Sequence, residues 1–168
     1  MSFSKELFQK NWQPRSNFPY KYSGIRLTRI IPKHAHILDI GCGHNLFKEY
    51  FPNLYGIDIT YDQADKVIDW LDYTPHKNFD VYLALGVFHF GTQEYVEKNI
   101  QHLSNVTKTG DKIYLRLNPG NIHEEWHKQI KFFPWSKDYN LYFCDKYHFK
   151  PVEWQIDNDR FYAEWIRY

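Results

Sequence analysis

The spacing of glycines between two short apolar runs restricts this chain more than any other feature. Residues 37 to 59 read ILDIGCGHNLFKEYFPNLYGIDI. Ile37-Leu38-Asp39-Ile40 is an apolar run broken by one acid, and Gly41-Cys42-Gly43 follows at once. A buried strand entering a tight turn has this form. Asn45-Leu46-Phe47-Lys48-Glu49-Tyr50-Phe51 then places apolar residues at helical spacing, Pro52-Asn53 stops the pattern, and Leu54-Tyr55-Gly56-Ile57-Asp58-Ile59 resumes a strand. One βαβ unit is expected. Glycines at its first turn let the chain reverse sharply and bring a ligand against bare backbone, at the positive end of the following helix. Asp58 closes the second strand nineteen positions after Asp39, where a carboxylate can accept from both hydroxyls of a ribose. The implied ligand is a nucleoside-containing cofactor.

A dinucleotide fingerprint, G-x-G-x-x-G, requires glycine where this chain has Leu46. The stretch instead resembles the first motif of class I S-adenosylmethionine-dependent methyltransferases, (D/E)-x-G-x-G-x-G. It stands here as Asp39-Ile-Gly41-Cys-Gly43-His-Asn45, with Asn45 in place of the last glycine. Asparagine is the replacement that best tolerates left-handed backbone. The resemblance implies an α/β, Rossmann-like, doubly wound and mostly parallel seven-stranded sheet with a C-terminal antiparallel hairpin. It covers residues 22–168, preceded by an aromatic and basic extension at 1–21. It implies S-adenosylmethionine as cofactor: Asp39 organises the loop near the methionine end, Gly41, Cys42, Gly43 and Asn45 pass close to it, and Asp58 with Ile59 meets the ribose.

At 168 residues one domain with a sizeable core is expected. Fourteen Tyr, thirteen Phe and six Trp against a single Met mean a core packed largely with rings, whose polar atoms need partners. No charged-then-apolar start and no long apolar run is present, so neither a signal peptide nor a membrane span is expected. Cys42 and Cys144 make no disulfide framework, and a reducing cytoplasm is the simplest setting. Charge is uneven: residues 1–36 carry seven cations against Glu6, a net +6, leaving −5 on the rest of a chain that totals +1. Such a basic segment suits either a solvated face or an anionic partner.

Taken in order, Ser4 to Asn11 reads as a turn of helix, and Pro14 and Pro19 force an irregular, ring-rich passage. Ser23 can cap a helix carrying Ile25, Leu27, Ile30 and Ile31, which Pro32 ends. In the methyltransferases it resembles, such a helix borders the cofactor, so Tyr22 and Arg26 are candidates there, Arg26 for the cofactor carboxylate and Tyr22 for the substrate. Lys66 to Trp70 reads as a third strand. The resemblance implies that Asp69 accepts from the adenine amino group while Trp70 packs on the base. Phe79 to Phe90 is too densely apolar for a half-exposed strand and reads as the central strand of a parallel sheet. By resemblance Leu85 and Gly86 lie beside the cofactor, and Phe88 and His89 at its reactive end, with His89 as general base or substrate hydrogen-bond partner.

Thr92 or Gln93 opens a helix toward Leu103; Lys112 to Leu117 reads as a fifth strand ending at Asn118, a candidate substrate contact. Leu141, Cys144 and Tyr147 suggest a helix, Val152 to Asp157 alternates as a half-exposed strand, and Phe161 to Tyr168 returns from a turn at Asn158-Asp159.

His123-Glu124-Glu125-Trp126-His127 fits the zinc-protease pattern H-E-x-x-H. Nine histidines make a chance match easy, and Glu153 and Asp157, which stand where a third ligand region would, sit in a strand pattern. No metal is expected. The function expected from motif and resemblance is methyl transfer from S-adenosylmethionine to a compact small-molecule acceptor. The alternatives are a nucleic acid held by the +6 segment and its rings, or a cofactor-binding protein without catalysis.

Overall fold

The computed structural model describes residues 24–119, 131–157 and 160–168. Its strands are β1 (Ile37–Ile40), β2 (Leu54–Asp58), β3 (Lys66–Val67), β4 (Val81–Leu85), β5 (Lys112–Leu117), β6 (Phe149–Asp157) and β7 (Arg160–Arg167). They form one sheet in the order β3-β2-β1-β4-β5-β7-β6. The first five run parallel, and β7 lies antiparallel between β5 and β6. The α-helices are α1 (Leu27–Ile30), α2 (Gln93–Val106) and α3 (Lys137–Lys146), with 3-10 turns at Leu46–Glu49 and Trp70–Asp72. The doubly wound sheet and its terminal hairpin match the expected architecture.

Burial explains why β1 and β4 read as continuous apolar runs. Leu38, Ile40, Tyr82 and Ala84 pack on one face under α2 and α3, while Ile37, Val81 and Leu83 pack on the other with Leu27, Phe47 and Phe51. A strand covered on both faces has no side to leave polar. Thr92 caps α2 by accepting from Tyr95 N at 3.3 Å, and Ser136 caps α3 by accepting from Tyr139 N at 3.2 Å. The larger cluster is ring-rich as expected: Trp135, Phe143, Phe149, Phe161 and Trp165 stack across α3 and the hairpin. Their polar atoms are answered, with Trp135 Nε1 donating to Phe88 O and Trp165 Nε1 to Asn140 Oδ1, both at 2.8 Å.

Three local expectations need correcting. The helix expected over Asn45 to Phe51 is a single 3-10 turn, because Pro52 leaves too few residues to repay nucleation. It has no macrodipole of consequence to offer a ligand. The third strand stops at Val67, since Asp69 turns out of the sheet to cap the Trp70–Asp72 turn, accepting from Leu71 N at 2.9 Å. The helix after Gly24 shortens to the four residues of α1. The helix expected at Ser4 to Asn11, the extension at 1–21, the His123–His127 run and the Asn158-Asp159 turn lie outside the described residues.

Candidate cofactor site

Strand order reverses between β1 and β4, and the crevice beyond the carboxyl ends of parallel strands at such a point is where ligands bind. The glycine turn leaves β1 there. Gly41, Gly43 and Asn45 all have positive φ, at 72°, 56° and 58°, so Asn45 occupies the left-handed conformation its motif position requires. Glycine at 41 is also demanded by space, since a Cβ there would lie 2.3 Å from Val87 Cγ2. The β4 loop thereby closes directly on the turn. Gly41 N and Cys42 N both donate to Ile57 O, at 2.8 and 3.0 Å, tying the turn to β2.

Asp58, nearly buried at the end of β2, is the knot of the turn. Its Oδ2 accepts from Gly43 N at 3.0 Å, while Oδ1 accepts from Thr60 N at 2.8 Å, Thr60 Oγ1 at 3.2 Å and Tyr61 N at 3.2 Å. Each carboxylate oxygen offers about two lone-pair sites, and Oδ2, with Gly43 N alone, keeps room for one further donor. The expectation of two ribose hydroxyls on Asp58 is thus narrowed to one while Thr60 and Tyr61 stay in place. Ile59 lies half-buried in the bend that follows.

Asp39 is 3% exposed, and no hydrogen bond from a described residue reaches its carboxylate. Burial, reinforced by Asp58, pushes its carboxyl up to about 7. Burial foremost, with the nearby Asp39, Asp58 and Asp65, pushes the Cys42 thiol far up, leaving it inert. Asp39 and Asp58 therefore form a desolvated acidic couple that a cation beside them would relieve.

Asp65, in the β2–β3 loop, braces the candidate site and is not revealed by the motif. Its Oδ2 accepts from Gly56 N at 2.8 Å and from Asn45 Nδ2 at 3.2 Å, and its Oδ1 pairs with Lys48. Burial alone would raise its carboxyl, but Lys48, Gly56 and Asn45 outweigh that and hold it below the usual range. Gly56 completes the fit, because a Cβ there would meet Asn45 Oδ1 at 2.4 Å and Cys42 Sγ at 2.7 Å. A glycine inside the β2 pattern, nine residues before Asp65, was the only sequence signal available. His44 and Tyr61, whose rings pack 5.3 Å apart, flank the turn and also carry no motif.

The remaining candidates divide. Leu85 and Gly86 stand half-buried at the end of β4, with Gly86 at φ 99° and its N–H donated to Arg116 O at 2.8 Å. His89 and Asn118, separate candidates in the sequence, meet at the ends of β4 and β5, where Asn118 N donates to His89 Nδ1 at 3.1 Å. An accepting Nδ1 fixes the neutral ring with its proton on Nε2. Proton abstraction through Nδ1 is closed in this arrangement. Phe88 and Trp70 point away from the crevice into the core, 1% and 5% exposed, with ring centroids 6.2 Å apart. Trp70 Nε1 donates to Asn99 O at 3.3 Å and its ring meets His102 edge-on, so neither adenine packing by Trp70 nor substrate contact by Phe88 fits this geometry. Asp69 retains its place beside β3, with Oδ1 committed to Leu71 N. Arg26 lies over the ring of Tyr162 on β7, its guanidinium 5.2 Å from the centroid, rather than over the glycine turn. Tyr22 lies outside the described residues, and among the described residues no group of three His, Cys, Asp or Glu could hold a metal ion.

No protein-family profile matches the chain, and no characterised relative matches by sequence. Solved structures do match. The 1,6-didemethyltoxoflavin-N1-methyltransferase of Burkholderia thailandensis, solved with S-adenosylhomocysteine, aligns over 88% of this chain and 76% of its own at 12% identity and a TM-score of 0.69. N-methyltransferase NodS of Bradyrhizobium japonicum, in complex with S-adenosylhomocysteine, aligns over 95% and 91% at 13% identity and 0.68. Magnesium protoporphyrin IX methyltransferase of Synechocystis PCC 6803 aligns over 98% and 92% at 11% identity and 0.66. The chain therefore has the class I S-adenosylmethionine-dependent methyltransferase fold.

Proposed function

We propose that this protein is an S-adenosylmethionine-dependent methyltransferase acting on a compact small-molecule acceptor. The observation that carries this reading is the desolvated couple of Asp39 and Asp58 around a left-handed glycine turn at the switch point of this fold. The donor set fits the cofactor: a buried carboxylate without a hydrogen bond suits its cationic amino acid end, and the open lone pair of Asp58 Oδ2 suits one ribose hydroxyl. When bound, the cofactor supplies an electrophilic methyl group on a sulfonium.

The chain's own residues bind, orient and exclude water. Gly41 and Gly43 allow close approach, Cys42 and Asn45 shape the turn, Asp58 and Ile59 hold the nucleoside, and Asp69 offers its free carboxylate oxygen toward the base. Leu85 and Gly86 line the methionine end. His89, whose Nδ1 is taken by Asn118 N, borders the acceptor together with Asn118; Tyr22 is the candidate from the preceding segment. Rate then comes from holding a nucleophile in line in a dry site, which needs no obligatory side-chain base. A small acceptor is supported by the toxoflavin precursor and porphyrin named for proteins of like fold.

The test is calorimetric titration of S-adenosylmethionine and S-adenosylhomocysteine into wild type and Asp58→Asn. The substitution is expected to weaken binding by roughly 1–3 kcal/mol, the range for a charge-assisted hydrogen bond. Unfolding curves for both proteins separate a lost contact from a loosened turn. A folded wild type that binds neither compound overturns the reading.

A further inference from the structure

Across the C-terminal ends of β4 and β5 and the N-terminal end of the antiparallel β7 runs one row of side chains on the α1 face: Leu85, Arg116 and Tyr162. Arg116 Nε donates to the Tyr162 hydroxyl at 3.2 Å. From above, Arg26 sets its guanidinium over the same ring. Two cations thus converge on one tyrosine, and neither has a carboxylate within ion-pair distance among the described residues. Glu164, one row further in, receives the Tyr114 hydroxyl at 3.5 Å instead. Arg26 Nε is shielded from solvent and has no hydrogen-bond partner. An Nε–H held this way is costly unless an acceptor completes it. Beside the pair there is room among the described residues, because a Cβ on Gly86 would meet only Arg116 Nη1 there, at 3.7 Å.

We propose that Arg26 and Arg116, aligned by Tyr162, bind an oxyanion of the methyl acceptor, so that the substrates are compact carboxylates or phosphates. This rests on the methyltransferase reading and adds the acceptor's chemical class. Position separates the pair from the cofactor. The glycine turn belongs to β1, and at about 4.8 Å per strand Arg116 stands two strands away and Tyr162 three. That is the side of the crevice beyond Gly86, where an acceptor must lie to face the methyl group. Guanidinium forks suit planar carboxylate and phosphate oxygens, and two of them on one ring repel each other until an anion sits between them.

The experiment titrates benzoate, its neutral isostere benzamide, and inorganic phosphate into protein saturated with S-adenosylhomocysteine, for wild type, Arg116→Gln, Arg116→Lys and Arg26→Gln. Expected is saturable millimolar or tighter binding of benzoate or phosphate, with benzamide weaker by about tenfold, a typical charge-assisted contribution. Whichever anion binds distinguishes carboxylate from phosphate recognition. Arg116→Gln and Arg26→Gln each lose about tenfold in anion affinity, and Arg116→Lys recovers part of it. S-adenosylhomocysteine affinity stays within about twofold, since no contact to it is lost. Either glutamine variant suffices if the other fails to fold. Benzamide equal to benzoate, no anion binding at tens of millimolar, or variants that lose S-adenosylhomocysteine in place of the anion overturn the proposal; the last assigns the pair to the cofactor carboxylate. If S-adenosylhomocysteine fails to bind folded wild type, the methyltransferase reading falls, and anion binding to the unliganded protein that Arg116→Gln abolishes still identifies the site.

Discussion

Replacing Asp65 by alanine removes the one carboxylate that links the glycine turn, its following 3-10 turn and β2. The β2–β3 ladder begins only at Ile57 opposite Lys66, so Gly56 N has no strand partner on that side and depends on Asp65. Leaving this buried N–H unpaired costs about 1–3 kcal/mol. The pair with Lys48, whose side chain is 43% exposed, adds about 0–1 kcal/mol. Asp65→Ala is therefore expected to lower the free energy of unfolding by about 1–4 kcal/mol, read from urea denaturation followed by tryptophan fluorescence. Asp65→Asn keeps an oxygen in the Oδ2 position for Gly56 and Asn45 and loses only the lysine charge, so it should cost under about 1 kcal/mol. Asp65 titrates below its ordinary value of 3.8 in the folded state. Its contribution is thus complete above that value and fades as pH falls through the folded one, where wild-type and alanine curves converge. An alanine variant within about 0.5 kcal/mol of wild type, or an asparagine variant as unstable as alanine, refutes this account of the turn.

Four further outcomes follow from the same framework. Asp39, raised to about 7 from 3.8, binds a proton in the folded state that it lacks unfolded, so stability should fall as pH rises between those values and level off above them; Asp39→Asn should flatten that slope in unfolding curves, and an unchanged slope would show another group responsible. The same titration means that S-adenosylmethionine binding near pH 7 should release protons, measured as a dependence of the calorimetric enthalpy on buffer ionisation; its absence would place the cationic end away from Asp39. Gly41→Ala forces a Cβ against Val87 at positive φ and should cost about 1–3 kcal/mol in stability and at least tenfold in S-adenosylhomocysteine affinity, whereas unaltered affinity would mean that Val87 yields freely. Trp70→Phe should lose roughly 1 kcal/mol of stability through its bond to Asn99 yet leave cofactor affinity intact; a tenfold weaker affinity would return Trp70 to the adenine.

Local sequence determined the framework because its signals are local. Apolar runs buried on both faces specify β1 and β4, glycines with Asn45 specify a left-handed turn, and Thr92 and Ser136 specify helix starts. The fold class and the acids Asp39 and Asp58 were legible for that reason. Side-chain direction beyond a strand end was not, since it depends on what distant elements offer. Trp70 turned inward because Asn99 and His102 on α2 supplied a carbonyl and a ring edge. His89 Nδ1 is occupied because the backbone of Asn118, 29 residues away, reached it. Asp65 entered the site because β3 starts too late to pair Gly56. Arg26 joined Arg116 only because β7 returned beside β5 and set Tyr162 between them. Periodicity encodes which face of an element is apolar; which polar group meets which is settled only when strands far apart in the chain become neighbours.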